Sequence, residues 1–253
     1  MKIVYSKAFE KNYVTNPVEC PDRVALAVPA LKDYEFIEPC SASLMDISRI
    51  HGIEHIERVK RRGLFEEASM AAGGAIAAAE LALKGEPAFA LIRPPGHHAS
   101  ANRAWGMCFF NNMAIAVERI RKRAGSVLIL DIDLHYGDGT VSIFRGIMDV
   151  AIVNIGAIDI GFDYLSLDDS RYIEDVTRSL EDNEYDIVCV SAGFDTYIED
   201  WGGLLTRDDF FIIGRTIREA AMRHCCGKRF AILEGGYHSD LKYNIRSFVD
   251  GFA

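Results

Sequence analysis

The chain's six cysteines (Cys20, Cys40, Cys108, Cys189, Cys225 and Cys226) include no CxxC pair. That spacing is the usual mark of a structural zinc site or a redox disulfide, so neither is expected. Cys108 and Cys189 sit inside apolar runs, where a free thiol behaves as a small hydrophobe. A reducing, cytoplasmic setting without disulfides follows as the expectation. There is no surplus of basic residues: 28 Lys and Arg stand against 37 Asp and Glu, a net charge of −9. This argues against nucleic acid as a main partner, which demands a basic face. It suits a cationic substrate, although excess acid also serves plain solubility. Long hydrophobic runs are missing too. Met70 to Ala79 is too short and too rich in Ala and Gly to span a bilayer. The first residues, MKIVYSKAFE, lack the apolar core and cleavage site of a signal peptide, so no membrane role is expected. Repeats, low-complexity stretches and linkers are absent, which points to one domain over residues 1–253. Apolar content of 49% and charged content of 26% are ordinary for a globular protein of this size.

The stretch Ser126 to Thr140, SVLILDIDLHYGDGT, carries the strongest signal. Its apolar start reads as a parallel strand buried on both faces. It then delivers Asp131, Asp133 and His135, spaced two apart, and a Gly137-Asp138-Gly139 turn. Alternate residues of a strand point the same way, though that alignment need not persist past the strand's end. Buried charges are costly without compensation, and metal coordination would compensate two acids and an imidazole together. An Asp-rich loop capping a helix is the alternative.

Along the chain, short strands are expected at Lys2 to Tyr5 and Tyr34 to Glu38, and a helix from Pro21 to about Leu31. Two short helices are expected at Leu44 to Ile47 and Ile53 to Arg62; His51 and His55 stand at the i, i+4 spacing of a possible metal pair or of an ordinary surface helix. Gly73 and Gly74 lie in a long Ala-faced helix, Glu66 to Lys84, where they would permit close approach of another element. From Ala88 onward, strand and helix alternate about five times, which predicts a parallel sheet with helices on both faces. The strands expected are Ala88 to Arg93, Val127 to Leu130, Val150 to Ile155, Tyr185 to Ser191 and Phe230 to Leu233. Four of them run into reactive groups: His97-His98, Asp133 with His135, Asp195, and Tyr237. Ligand crevices of open α/β sheets lie at the carboxyl ends of the strands, so four such endings point to an enzyme.

Asp133, His135 and Asp195 make a three-ligand set for Zn²⁺, Fe²⁺ or Mn²⁺. His97 and His98 would move protons, with Asp131 and Asp138 available to orient them. Tyr237 could reach an oxyanion, or pack as an ordinary turn aromatic; Asp195 could equally be a cap.

These residues resemble the histone deacetylase superfamily, which includes acetylpolyamine amidohydrolases and acetoin-utilisation-type proteins. The matching motifs are RPPGHHA over Arg93 to Ala99, GMCFFNN over Gly106 to Asn112, DIDLHYGDGT over Asp131 to Thr140, SAGFD over Ser191 to Asp195, and EGGY over Glu234 to Tyr237. They occur in family order over most of the chain. The resemblance implies an arginase-like parallel α/β fold. It implies Asp133, His135 and Asp195 as zinc ligands, and His97 and His98 as the catalytic pair backed by Asp131 and Asp138 respectively. Tyr237 becomes the transition-state tyrosine, and a structural potassium ion would sit among main-chain carbonyls around Asp131, Asp133 and His135. Gly106, Met107, Trp201, Gly235 and Gly236 would line the substrate pocket.

The chain departs from the family's pattern in several places. Met107 stands where a tunnel-wall Phe is usual, Tyr136 and Asn16 where His is usual, and Gly202 where polyamine-specific relatives carry an acidic gatekeeper. The long glycine-rich loop of relatives is replaced by Ala157 to Asp168, so a shortened, more open site is expected, with Trp201 or Phe162 as substitute wall. The expected activity is removal of an acetyl or other acyl group from an amine, through a linear amide. Acetyl-lysine peptides, acetylpolyamines and small acetylated metabolites are the candidate substrates. The alternatives are hydrolysis of another acyl amide or ester, and a metal-containing acyl-group binder without activity. A ureohydrolase would need a second metal and further carboxylates near His97.

Overall fold

The structure, a computed structural model, describes residues 1–13, 16–155 and 169–253. Seven strands form one sheet: β1 Lys2–Val4, β2 Glu35–Ile37, β3 Ala88–Ala90, β4 Val127–Asp131, β5 Val150–Asn154, β6 Ile187–Ala192 and β7 Arg229–Leu233. Their order is β2-β1-β3-β7-β6-β4-β5 and every pairing is parallel. The early helices are α1 Asp22–Ala25, α2 Ala27–Ala30, α3 Leu44–Ser48, α4 Ile53–Arg61 and α5 Phe65–Leu83. The later ones are α6 Asn112–Ala124, α7 Asp138–Phe144, α8 Asp169–Glu181, α9 Arg207–His224 and α10 Leu241–Phe252. Among the described residues no helix is long and apolar enough to cross a membrane.

Every residue of β3, β4, β6 and β7 is buried. Successive side chains of a strand point to opposite faces, so full burial means that both faces are covered. One helical group, α5 with α6, packs on the central strands, and in a second group α8 and α10 each pack on α9. Gly73 and Gly74 are where α5 comes closest to its neighbours. A methyl group at Gly73 would stand 1.9 Å from the Cys40 carbonyl oxygen, and one at Gly74 would stand 2.5 Å from Ile92. Thr206 begins α9 with a capping box to Asp209, an arrangement worth about 1 kcal/mol.

Two expectations are corrected. The helix from Pro21 to Leu31 is two short helices meeting at Leu26. Pro29 has no N–H to give the Ala25 carbonyl, so one continuous helix cannot run through it. The strand expected to reach Arg93 stops at Ala90. Pro94 and Pro95 cannot extend the ladder, and Arg93 turns inward to a buried two-point pairing with Glu19 at 2.7 and 2.8 Å.

The sheet order places the site. β3, β7, β6 and β4 are consecutive neighbours in the sheet. The segments that leave their carboxyl ends are those bearing His97 and His98, Tyr237, Asp195, and Asp133 with His135. Four groups scattered over 141 positions of sequence, from His97 to Tyr237, therefore emerge side by side.

Candidate active site

The chain leaving β4 is stapled by its own carboxylates. Asp131 Oδ1 accepts the N–H of Asp133 at 3.1 Å, and Asp133 Oδ1 accepts that of His135 at 3.0 Å. Asp195, on the turn after β6, accepts the N–H of Leu134 at 3.1 Å. The Gly235 N–H, from the end of β7, donates to Asp133 Oδ2 at 2.8 Å. Three separate strand ends thus fix one small volume.

In that volume, ligand atoms of Asp133, His135 and Asp195 lie within 4.8 Å of one another, and they are the one such trio among the described residues. Asp133 and Asp195 are buried. Oδ2 of Asp195 stands 2.9 Å from Nδ1 of His135, yet the contact lacks hydrogen-bond geometry and no other partner satisfies that oxygen among the described residues. Asp195 is pushed up to about 6 by burial and by the neighbouring Asp133 charge. His135 is pushed up to about 10 because the two carboxylates outweigh its burial. A buried volume that draws protons this strongly is one that favours a cation. Gly235 leaves room for it: a methyl group there would stand 2.5 Å from Asp133 Oδ2 and 2.8 Å from Asp195 Oδ2. Two carboxylates and an imidazole, with one buried oxygen unpartnered, fit a divalent metal.

His97 and His98 face the same volume, their ring centres 4.0 Å apart. Nδ1–H of His97 donates to Asp131 Oδ2 at 3.1 Å, and Nδ1–H of His98 donates to Asp138 Oδ1 at 2.8 Å. Burial opposes charge on both rings. Around His97 the carboxylates of Asp133 and Asp131 overcome that and raise its pKa. At His98 burial and the adjacent His97 charge prevail and lower it to about 4. A metal ion among the three ligands would neutralise much of the field acting on His97. The backbone of the pair is also held. Glu234, buried at the end of β7, accepts the N–H groups of Gly96 and His97 on Oε2 at 2.7 and 3.2 Å.

Tyr237 follows Gly235 and Gly236. Asp200 accepts the N–H groups of Tyr237 and His238 at 2.6 and 2.8 Å. The buried Arg23 lies over the tyrosine ring at 4.8 Å and donates to the Gly236 carbonyl at 2.7 Å. Burial raises the Tyr237 pKa, which keeps the phenol protonated and able to donate. On its other side Tyr237 stacks on Trp201 at 4.3 Å.

A cavity of about 420 Å³ opens over these groups. His97, His98, Asp133, His135 and Tyr237 line it, and so do the expected pocket residues Gly106, Met107, Trp201 and Gly235. Gly236 is placed elsewhere: its α-carbon packs against Phe194 and Leu241, where a methyl group would find both at 2.8 Å. Phe162 and the segment Ala157 to Asp168 lie outside the described residues. Of the main-chain carbonyls expected around a potassium ion, that of Asp131 accepts the Ile155 N–H at 2.9 Å.

His51 and His55 do not form a metal pair. His51 accepts the Asn111 N–H on Nε2 at 2.9 Å and donates from Nδ1 to the Ser100 carbonyl at 3.1 Å. His55 donates from Nε2 to the Phe109 carbonyl at 2.7 Å. Both are buried, and both anchor the loop that carries Trp105 to Met107. Trp105 itself was not anticipated. Its ring stacks on His98 at 3.7 Å, and it lines the cavity. No periodicity or motif marks that contact.

With the geometry in place, comparison with known proteins is direct. The family model for the histone deacetylase domain matches residues 17–162. A probable deacetylase of Methanothermobacter thermautotrophicus is 31% identical over 288 residues, covering 94% of this chain and 86% of that protein. An acetylpolyamine amidohydrolase of Burkholderia pseudomallei is 34% identical over 212 residues, covering 72% of this chain and 61% of that protein. The crystal structure of an acetylpolyamine aminohydrolase from Burkholderia pseudomallei superposes with a TM-score of 0.83 at 25% identity, over 100% of this chain and 98% of that one.

Proposed function

Because the chain belongs to the histone deacetylase family, we propose that it hydrolyses the linear amide of an N-acetylated or otherwise N-acylated amine. The observation that carries this reading is one cavity lined by Asp133 and His135, by His97 and His98 and by Tyr237, with buried Asp195 completing the trio of ligand atoms within 4.8 Å of one another. Asp133, His135 and Asp195 would hold the ion, zinc in the first instance; iron or manganese suits the same donors. When bound, such an ion polarises the scissile carbonyl and acidifies a water.

The chain's own side chains do the rest. Each histidine gives its Nδ1–H to a carboxylate, which turns Nε2 toward the cavity. One imidazole takes the proton of the attacking water at Nε2, and the other delivers a proton to the departing nitrogen. Tyr237, held protonated by burial, donates its hydroxyl to the oxygen that gains charge. Trp201, Met107 and Gly106 shape the channel toward the leaving group. Residues 1–253 act as one domain in this reading, because Arg23 near the start holds the Gly236 carbonyl near the end. The six free thiols suit a reducing cytoplasm.

The test is turnover by the zinc- or iron-loaded protein against acetyl-lysine peptides, acetylpolyamines and small acetylated metabolites. Turnover of at least one class is expected, with Tyr237→Phe and His98→Ala each slowed by about 10²-fold or more. No turnover of any class, or variants indistinguishable from wild type, sinks the reading.

A further inference from the structure

The two histidine–aspartate pairs differ in how the carboxylate is held. Asp131 is buried, and a backbone N–H, that of Asp133, fixes its free oxygen at 3.1 Å. Asp138 begins α7 with its side chain 47% exposed. A half-exposed carboxylate can rotate and exchange its partner for water, which would leave the imidazole it orients loosely held. Trp105 supplies a side-chain donor to that carboxylate. Its Nε1–H reaches Oδ1 and Oδ2 of Asp138 at 3.2 and 3.1 Å. The same indole lies on the face of His98, with centroids 3.7 Å apart and planes at 29°.

We propose that Trp105 is the positioning residue of the His98–Asp138 pair: it locks the carboxylate from one side and the imidazole from another. This rests on the hydrolase reading above. Two features of the loop hold the indole in register. The Trp105 carbonyl accepts the Cys108 N–H at 3.0 Å, closing a turn. Gly106 packs so close to the imidazole that a methyl group there would stand 2.5 Å from its Cδ2. The loop's two ends are tied by His51 to Ser100 and by His55 to Phe109. Trp105 remains 38% exposed at the rim of the histidine pair and lines the cavity. The interaction spans 33 positions between Trp105 and Asp138.

The experiment separates the N–H from the ring. Trp105→Phe keeps an aromatic stack and loses the donor. Expected is a fall in kcat of about tenfold, the worth of one hydrogen bond to a charged group, with KM unchanged. In an Asp138→Ala background the same substitution should cost nothing more, because its only target is gone. A second readout needs no catalysis. The chain has two tryptophans, so the indole N–H resonance that vanishes in Trp105→Phe is assigned to Trp105. That resonance should move when Asp138 is replaced by Ala. Wild-type-like kcat in Trp105→Phe, additive losses in the double variant, or an unmoved indole resonance each overturn the assignment. A wild type that turns over no acylated amine instead overturns the hydrolase reading, and the positioning role with it.

Discussion

His97 with Asp131 and His98 with Asp138 are neighbours in sequence and opposites in surroundings. The first pair is sealed: both side chains are at most 4% exposed, and the carboxylate's second oxygen is taken by backbone. The second has a buried imidazole but a carboxylate facing partly into water, steadied by an indole. A sealed pair carries its order in the fold, whereas an open one needs a dedicated side chain to stay aligned. The pKa values of two imidazoles 4.0 Å apart are pushed in opposite directions, that of His97 up by Asp133 and Asp131 and that of His98 down by burial and the His97 charge. Two groups whose environments push their pKa values apart suit the two ends of one proton transfer.

Removing either imidazole should have the largest effect. His97→Ala and His98→Ala should each lower kcat by about 10²- to 10⁴-fold in a steady-state assay of the metal-loaded protein. A silent variant would mean that one pair is merely structural. Removing the carboxylates should separate the pairs by stability rather than rate. Asp131→Ala leaves a buried imidazole unpartnered and should cost about 3 kcal/mol or more in urea unfolding. Asp138→Ala, at a half-exposed site, should cost less than about 1 kcal/mol. Equal costs would contradict the sealed-versus-open distinction.

A third histidine pair provides the control. His51 bonds to backbone rather than to carboxylates, and burial, aided by His55, pushes it down to about 3. Its folded pKa lies below the ordinary value of 6.5. The unfolded chain therefore takes up this proton first as pH falls, and stability drops between pH 6.5 and about 3 while being complete above that window. The slope due to His51 is at most about 1.4 kcal/mol per pH unit. Urea midpoints from pH 7 to pH 4 should fall less steeply in His51→Gln than in wild type. Parallel slopes would show that His51 titrates normally when folded.

What could be read in the sequence was what strands impose. Asp133, His135 and Asp195 sit just past apolar runs, and a parallel sheet must bring such positions to one edge. Helix and strand alternation gave the layered fold for the same reason. Contacts made by loops were not legible. Trp105 and Asp138 meet because a loop folds over the start of α7, and no residue spacing encodes that. His51 and His55 have the spacing of a ligand pair, but their partners are carbonyls and an N–H of a distant segment, groups that every residue carries. Glu234 was legible as a motif residue only. Its bonds to Gly96 and His97 depend on β7 lying beside β3, a pairing of segments 142 positions apart in register, Ala88 with Phe230.

The order β3-β7-β6-β4 also has a temporal side. With strands about 4.8 Å apart, β3 and β4 stand roughly 14 Å from each other across the sheet. The two strands that fill the gap are the last to be synthesised. A chain halted after β5 owns both histidines, Asp131, Asp133 and His135, yet lacks the two strands that bridge β3 to β4; Asp195, Glu234 and Tyr237 arrive on the missing wedge. Ion uptake should therefore begin only when that wedge has been driven in, so that a ribosome-released fragment ending near residue 184 takes up no zinc in equilibrium dialysis while the full chain does. Tight zinc uptake by the fragment would show that the first half assembles its ligands unaided. By this logic the trio would act as a completion signal for the sheet in the proposed metal-dependent reading, able to hold an ion only after the final strands are home.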